Sequence, residues 1–217
     1  MGTKIFKKRF YLESRCLGKL FFLPCIISII DISICILFFF DNTNEMTGRI
    51  SYRRFLLLSI LPVLIWWITS FLKKYIDDFG NEIIYVYEKK RQFWLMSKSV
   101  SVFILMISPS LIVSFLIDKE CLCFLLWIII YCVHITSIVY CISFLTKNIT
   151  LTYILGYIYF LCNIIVPEKY SFFPFFYHSL GFNVLSELWR VILPMMLSIF
   201  TFTFFGILLN KKFDGYN

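Results

Sequence analysis

Apolar residues gather into six long runs, at 20–40, 55–72, 99–117, 121–145, 149–166 and 191–209, with polar stretches between them. Each run is close to the ~20 residues that a helix needs to cross a bilayer core of ~30 Å. The pattern predicts an all-α membrane protein with six transmembrane helices. The links at 118–120 (DKE) and 146–148 (TKN) are so short that the third, fourth and fifth spans are expected to pack as antiparallel neighbours. The stretch 41–54 is polar and is expected to form an external loop.

Composition agrees with the pattern. The chain is 60% hydrophobic and 16% charged, with a mean hydropathy of +0.83, whereas soluble domains are about 45–50% apolar and about 25% charged. It has no alanine, so helical propensity rests on Leu, Ile and Phe. A net charge of +8 would suit a polyanion, but the placement of the charges points to topology instead. Six spans put both termini on one side, and that side carries 15 of the Lys and Arg residues against 6 on the other. The positive-inside rule makes the richer side cytoplasmic. No nucleic-acid partner is expected, and the basic residues are read as contacts with lipid headgroups.

The interruption at 73–98, KKYIDDFGNEIIYVYEKKRQFWLMSK, is too polar for lipid and too charged for an ordinary turn. Lys73, Lys74 and Lys98 read as anchors of the flanking spans. Gly80 permits a positive φ that ends the second span, Asn81 is a fitting helix cap, and Glu82 would meet the positive end of a helix dipole. A short helix from Glu82 to about Lys90 would then carry its acid early and its bases late. Ile83, Ile84, Tyr85, Val86 and Tyr87 form an apolar strip that needs a protein or membrane surface to cover it. Their β-branched and aromatic character suits a strand as well as a helix, and the charge order favours the helix.

With Asp77, Asp78, Gly80, Glu82, Arg91 and Lys98 in this order, the segment resembles the cytoplasmic loop of ABC-2 type permeases, although no proline lies between Gly80 and Lys98. Two further stretches are similar to that family. Residues 1–19 mix six basic residues with Ile5, Phe6, Phe10, Leu12 and Leu17, as an interfacial helix does, and lack the small-x-small cleavage site of a secretory signal. Residues 167–190 hold an aromatic, proline-broken block before the last span, where the family has a re-entrant or interfacial element.

The resemblance implies a type V exporter-like architecture. An elbow helix at 1–19 would precede a six-span domain at 20–217, with a coupling segment at 73–98 and an external element at 167–190. Both termini would be cytoplasmic, in a bacterial cytoplasmic membrane. Asp78, Gly80, Glu82, Ile83, Ile84, Tyr85, Val86, Tyr87 and Arg91 would dock on a separate ATP-binding cassette ATPase. A second permease half, identical or different, would complete the pathway. ATP and Mg would belong to the partner ATPase, because the only Gly-Lys pair here, Gly18-Lys19, lacks the rest of a P-loop. The expectation is a transport subunit and not an enzyme, exporting a peptide or another amphipathic or hydrophobic cargo. A non-transporting membrane immunity or sensor protein is the alternative reading. Rhomboid-type or metalloprotease chemistry lacks its motifs.

Within the spans two ionisable residues stand out. Asp31 lies near the middle of the first span, where a carboxylate costs about 2.5–3.5 kcal/mol on insertion scales, so it should face the bundle. It reads either as a pathway or inter-subunit contact, or as an acid hydrogen-bonded to Ser28, Ser33 or a neighbouring span. His134 in the fourth span reads as a packing residue more readily than as a ligand. Pro24, Pro62, Pro109 and Pro194 fall inside spans and should distort them. The eight cysteines show no C-x-x-C spacing and read as small buried hydrophobes, with Cys121 and Cys123 open to oxidation. No metal site is expected.

Overall fold

In lipid a helix satisfies every backbone amide within its own segment, which is why the apolar runs become helices. The computed structural model describes residues 18–41, 45–76, 92–117, 121–165 and 192–213; almost all of them are helical and none forms a strand. A 3-10 turn, Gly18–Phe22, leads into α1 (Leu23–Asp41), followed by α2 (Glu45–Ile76), α3 (Gln92–Ile117) and α4 (Cys121–Thr146). The last two helices are α5 (Ile149–Ile165) and α6 (Leu193–Phe213). Five of the six are long and apolar enough to cross a membrane, and α5 is a shorter apolar helix. At 17 residues α5 is about 26 Å long, at the lower limit for a span. The chain is thus a multi-pass helical membrane protein.

Two expectations about boundaries are corrected. Residues 45–54 are not a loop; they are the first turns of α2, whose 32 residues reach about 48 Å, well beyond a bilayer core. Polarity marked where lipid ends, and the helix simply continues past that point. At the other end, Ile76 closes α2 and Gln92 opens α3, so both flanks of the 73–98 segment are helical. Its middle lies outside the described residues, as do the element at 167–190 and all but the last two residues of the expected elbow helix.

The prolines divide into two kinds. Pro24 and Pro194 are each the second residue of their α-helix, in the first turn, where proline is tolerated. Pro62 and Pro109 are interior. Pro109 has no amide to offer the Leu105 carbonyl four residues back, and the Ser108 hydroxyl donates to that carbonyl at 2.7 Å. The freed backbone group is thereby satisfied within the span.

The helices alternate in direction. At one end of the bundle Phe21, before α1, meets Trp67 of α2 with ring centroids 5.2 Å apart, and the Trp67 indole donates to the Ser99 carbonyl of α3 at 3.2 Å. Phe71 and Phe103 pack on the same indole. The tight link between α4 and α5 forms as expected. Lys147 takes a positive φ of 54° to end α4, and the Asn148 side chain caps α5 by accepting the Leu151 amide at 3.0 Å.

Helices α2 and α4 lie at the centre, with 61% and 72% of their apolar spans buried against at most 33% for α1, α3 and α6. They pack on each other and jointly hold α5, while α6 rests on α4 and α1 packs on α2 and α3. Two glycines allow the closest approaches. A Cβ on Gly156 of α5 would stand 3.0 Å from Ile65 and 3.5 Å from Val139, and one on Gly206 of α6 would drive into the Tyr140 ring of α4, 3.4 Å from the Cys141 backbone. The Tyr140 ring cannot retreat easily, because its hydroxyl accepts a hydrogen bond from Asn210 at 3.2 Å and its edge packs on Phe144. Gly206→Ala would gain about 1 kcal/mol of helix propensity against an overpacking cost of about 1–3 kcal/mol. We expect a net loss of up to ~2 kcal/mol for Gly206→Ala and a near-neutral Gly156→Ala, read as unfolding transitions of the purified protein in detergent.

Candidate functional site

The outward faces of the peripheral helices are apolar. Leu105, Leu116, Leu197, Phe200 and Phe205 are among the large exposed residues, whereas Ser28, Asp31, Ser110, Ser114, His134, Thr136, Ser137 and Ser143 are buried. This distribution suits lipid outside and leaves polar chemistry to the interior. Most buried hydroxyls turn back on their own helix: Thr69 to Ile65, Ser110 to Ile107, Thr136 to Cys132 and Ser143 to Val139, at 2.6–2.9 Å. Such bonds satisfy a hydroxyl without demanding a partner helix.

Two polar groupings join helices. The first lies between α1, α2 and α3. The Ser110 amide donates to Ser28 Oγ of α1 at 3.2 Å, and the Ser114 hydroxyl donates to the Ser110 carbonyl at 2.6 Å. Tyr52 of α2 therefore acts as donor in its 2.5 Å bond to Ser114. Asp31 sits in this region with no exposed surface. It faces the bundle, as a membrane carboxylate must, but the expected bonds to Ser28 and Ser33 do not form. Neither carboxylate oxygen has a hydrogen-bond partner among the described residues, and the Ser33 hydroxyl goes to the Ile29 carbonyl at 3.0 Å.

The second grouping centres on His134 of α4. Its Nε2 shares a 2.8 Å hydrogen bond with the Tyr159 hydroxyl of α5, and its Nδ1 lies 3.5 Å from Ser198 Oγ of α6. Imidazole has two edges, and here each edge meets a different neighbouring helix. Nearby, Tyr157 of α5 donates to the Pro62 carbonyl of α2 at 3.1 Å. The geometry of His134 is that of a link between three helices.

The sequence singled out Asp31, Ser28 and His134 but not Tyr52, Ser110, Ser114, Tyr159 or Ser198, which the structure gathers around them. Tyr52 was hidden by its assignment to a loop, and Tyr159 and Ser198 carry no local signal. Ser110 and Ser114, one turn apart in an apolar run, were a readable pair on one helix face. Asp78, Gly80, Glu82, Ile83, Ile84, Tyr85, Val86, Tyr87 and Arg91 all lie outside the described residues. No group of His, Cys, Asp and Glu suited to a metal occurs among the described residues, and Cys25, Cys132, Cys141 and Cys162 are free thiols.

Compared with known proteins, the chain matches no protein-family model, no curated protein and no solved structure.

The coupling between His134 and Tyr159 is measurable. A double-mutant cycle with His134→Phe and Tyr159→Phe should give a coupling of about 0.6 kcal/mol and at most about 1.7 kcal/mol, the range for hydrogen bonds between membrane helices. Unfolding in detergent reads it directly.

Proposed function

We propose that the chain is the membrane-spanning permease subunit of an ATP-binding cassette exporter in a bacterial cytoplasmic membrane, with ABC-2 architecture, six spans and both termini cytoplasmic. It would form the pathway with a second permease half, identical or different, and draw its energy from a separate ATPase. The observation that carries this reading is the placement of the charged segment. Residues 77–91, with Asp78, Gly80, Glu82, the Ile83–Tyr87 strip and Arg91, connect two helices that run uninterrupted from the membrane up to it.

The aromatic clamp makes that placement mechanically useful. Trp67 lies nine residues before the end of α2, bonded to the backbone of α3 and packed at tilted angles against Phe21, Phe71 and Phe103. A push on 77–91 would reach α2 and α3 together and pass through Phe21 to the start of α1. The three helices would then tilt as a group against the second permease half. ATP and Mg would bind in the partner chain. The abundance of aromatic residues, 20% of the chain, fits a peptide or another amphipathic or hydrophobic cargo.

Purification from the native membrane tests the reading. The intact chain should bring with it a chain bearing a P-loop and stimulate its ATP hydrolysis. Deleting residues 78–91 should abolish both, whereas Trp67→Ala should keep the association but return hydrolysis toward the unstimulated level. An inserted, folded chain with no ATPase partner would favour the immunity or sensor reading instead.

A further inference from the structure

The contacts that join α1, α2 and α3 fall at two levels. At one level Phe21, Phe71 and Phe103 pack on Trp67, whose indole donates to the Ser99 carbonyl at 3.2 Å. At the other the Tyr52 hydroxyl donates to Ser114 at 2.5 Å and the Ser110 amide to Ser28 at 3.2 Å. Tyr52 and Trp67 stand fifteen residues apart on α2, and Ser99 and Ser114 stand fifteen apart on α3. The antiparallel pair is therefore pinned twice in matching register, about 22 Å apart along each helix. Neither helix slides along the other without breaking a pin.

Between its two contacts each of the three segments has a break in regular backbone bonding. The 3-10 turn gives way to α1 at Leu23, between Phe21 and Ser28; Pro62 lies between Tyr52 and Trp67, and Pro109 between Ser99 and Ser110. An interior proline removes a backbone hydrogen bond and crowds the turn before it, and sharp bends in helices gather at such positions. At Pro109 rotatable groups stand in for the ladder: Ser108 donates to the Leu105 carbonyl at 2.7 Å and the Ser110 hydroxyl to the Ile107 carbonyl at 2.8 Å. Such hydroxyls keep carbonyls satisfied as the angle between the two halves changes. At Pro62 the carbonyl accepts from Tyr157 of α5 at 3.1 Å, so this joint bears on the neighbouring helix. Helices α4 and α5 contain no proline, and α6 has one only in its first turn.

We propose that α1, α2 and α3 form a two-part lever, with a clamp body around Trp67 and a hydroxyl body of Ser28, Tyr52, Ser110 and Ser114 joined at Leu23, Pro62 and Pro109. The three segments bend together at these joints, while the proline-free interiors of α4, α5 and α6 form the stationary side. A load on the ends of α2 and α3, at Ile76 and Gln92, turns the clamp body first. The lever rests on contacts inside the bundle and stands whether or not an ATPase moves it.

The test is pulsed electron paramagnetic resonance on the full chain in lipid nanodiscs, with spin labels carried on p-acetylphenylalanine so that the native cysteines stay in place. Leu105 and Leu116 flank the α3 joint, and Leu197 and Leu208 stand the same eleven residues apart on α6 with no proline between them; all four are exposed. A change of ~20° in bend moves two labels on one face of a helix of ~5–6 Å radius by about 2 Å. The Leu105–Leu116 distance distribution should be wider than the Leu197–Leu208 distribution by that amount, and Pro109→Ala should remove the excess. Labels on Leu37 of α1, also exposed, and Leu116 report on the hydroxyl body. Their distribution should be as narrow as the α6 reference and should broaden in Ser28→Ala, which leaves the Leu105–Leu116 spread as it was. A Leu105–Leu116 distribution no wider than the reference would overturn the proposal. So would an excess width that survives Pro109→Ala, or a Leu37–Leu116 distribution indifferent to Ser28→Ala. If Pro109→Ala does not fold, the comparison of the α3 and α6 pairs in the wild-type chain carries the test.

Discussion

The packing of α2 against α4 is the contact on which the other helices depend. Lipid tails are as apolar as leucine, so helices in a membrane associate through close packing and hydrogen bonding and not through escape from water. Leu56, Leu57, Ile60, Leu64, Trp67, Trp127, Tyr131 and Ile135 are buried to within 1% of their surface, and they lie on these two helices. Once α2 and α4 are joined, α5 has a groove to enter, where Gly156 lets it approach Ile65 and Val139. Helix α6 then needs only α4, which it meets through Gly206 and the Tyr140–Asn210 bond.

A second constraint follows from the same absence of water. Each polar group must be satisfied inside the protein or bear the full cost of its desolvation. The bundle meets this in graded ways: hydroxyls fold back onto their own helices, Ser108 covers the carbonyl that Pro109 abandons, and His134 divides its two nitrogens between α5 and α6. Asp31 departs from the pattern, buried with neither carboxylate oxygen in a hydrogen bond of good geometry.

The spans were legible because length and hydropathy report directly on lipid, and the antiparallel order of the third to fifth was legible because short links permit nothing else. Where helices pass beyond lipid, the same signal misleads. Tyr52 and Arg53 were assigned to a polar loop, yet both are buried, because a helix backbone is indifferent to the point at which its side chains become polar. Pro24 and Pro194 were read as distortions for a related reason: hydropathy places a proline within a span but not within a turn of its start. The short TKN link, by contrast, forms as its length requires, and only the structure shows the Asn148 side chain capping α5.

By itself the sequence determined the class of the protein, the order and approximate extent of the apolar helices among the described residues, and the position of the charged segment between the second and third. Those properties follow from transfer free energies summed along the chain, which need no knowledge of neighbours. Only the tertiary structure decided that α2 and α4 form the centre, that Trp67 clamps three helices at one end, and that Tyr159 and Ser198 meet His134. It also decided that Ser28 and Ser33 leave Asp31 without a partner. These outcomes depend on which residues distant in sequence come within about 3 Å of one another, and no pattern along one helix records what its neighbours will offer.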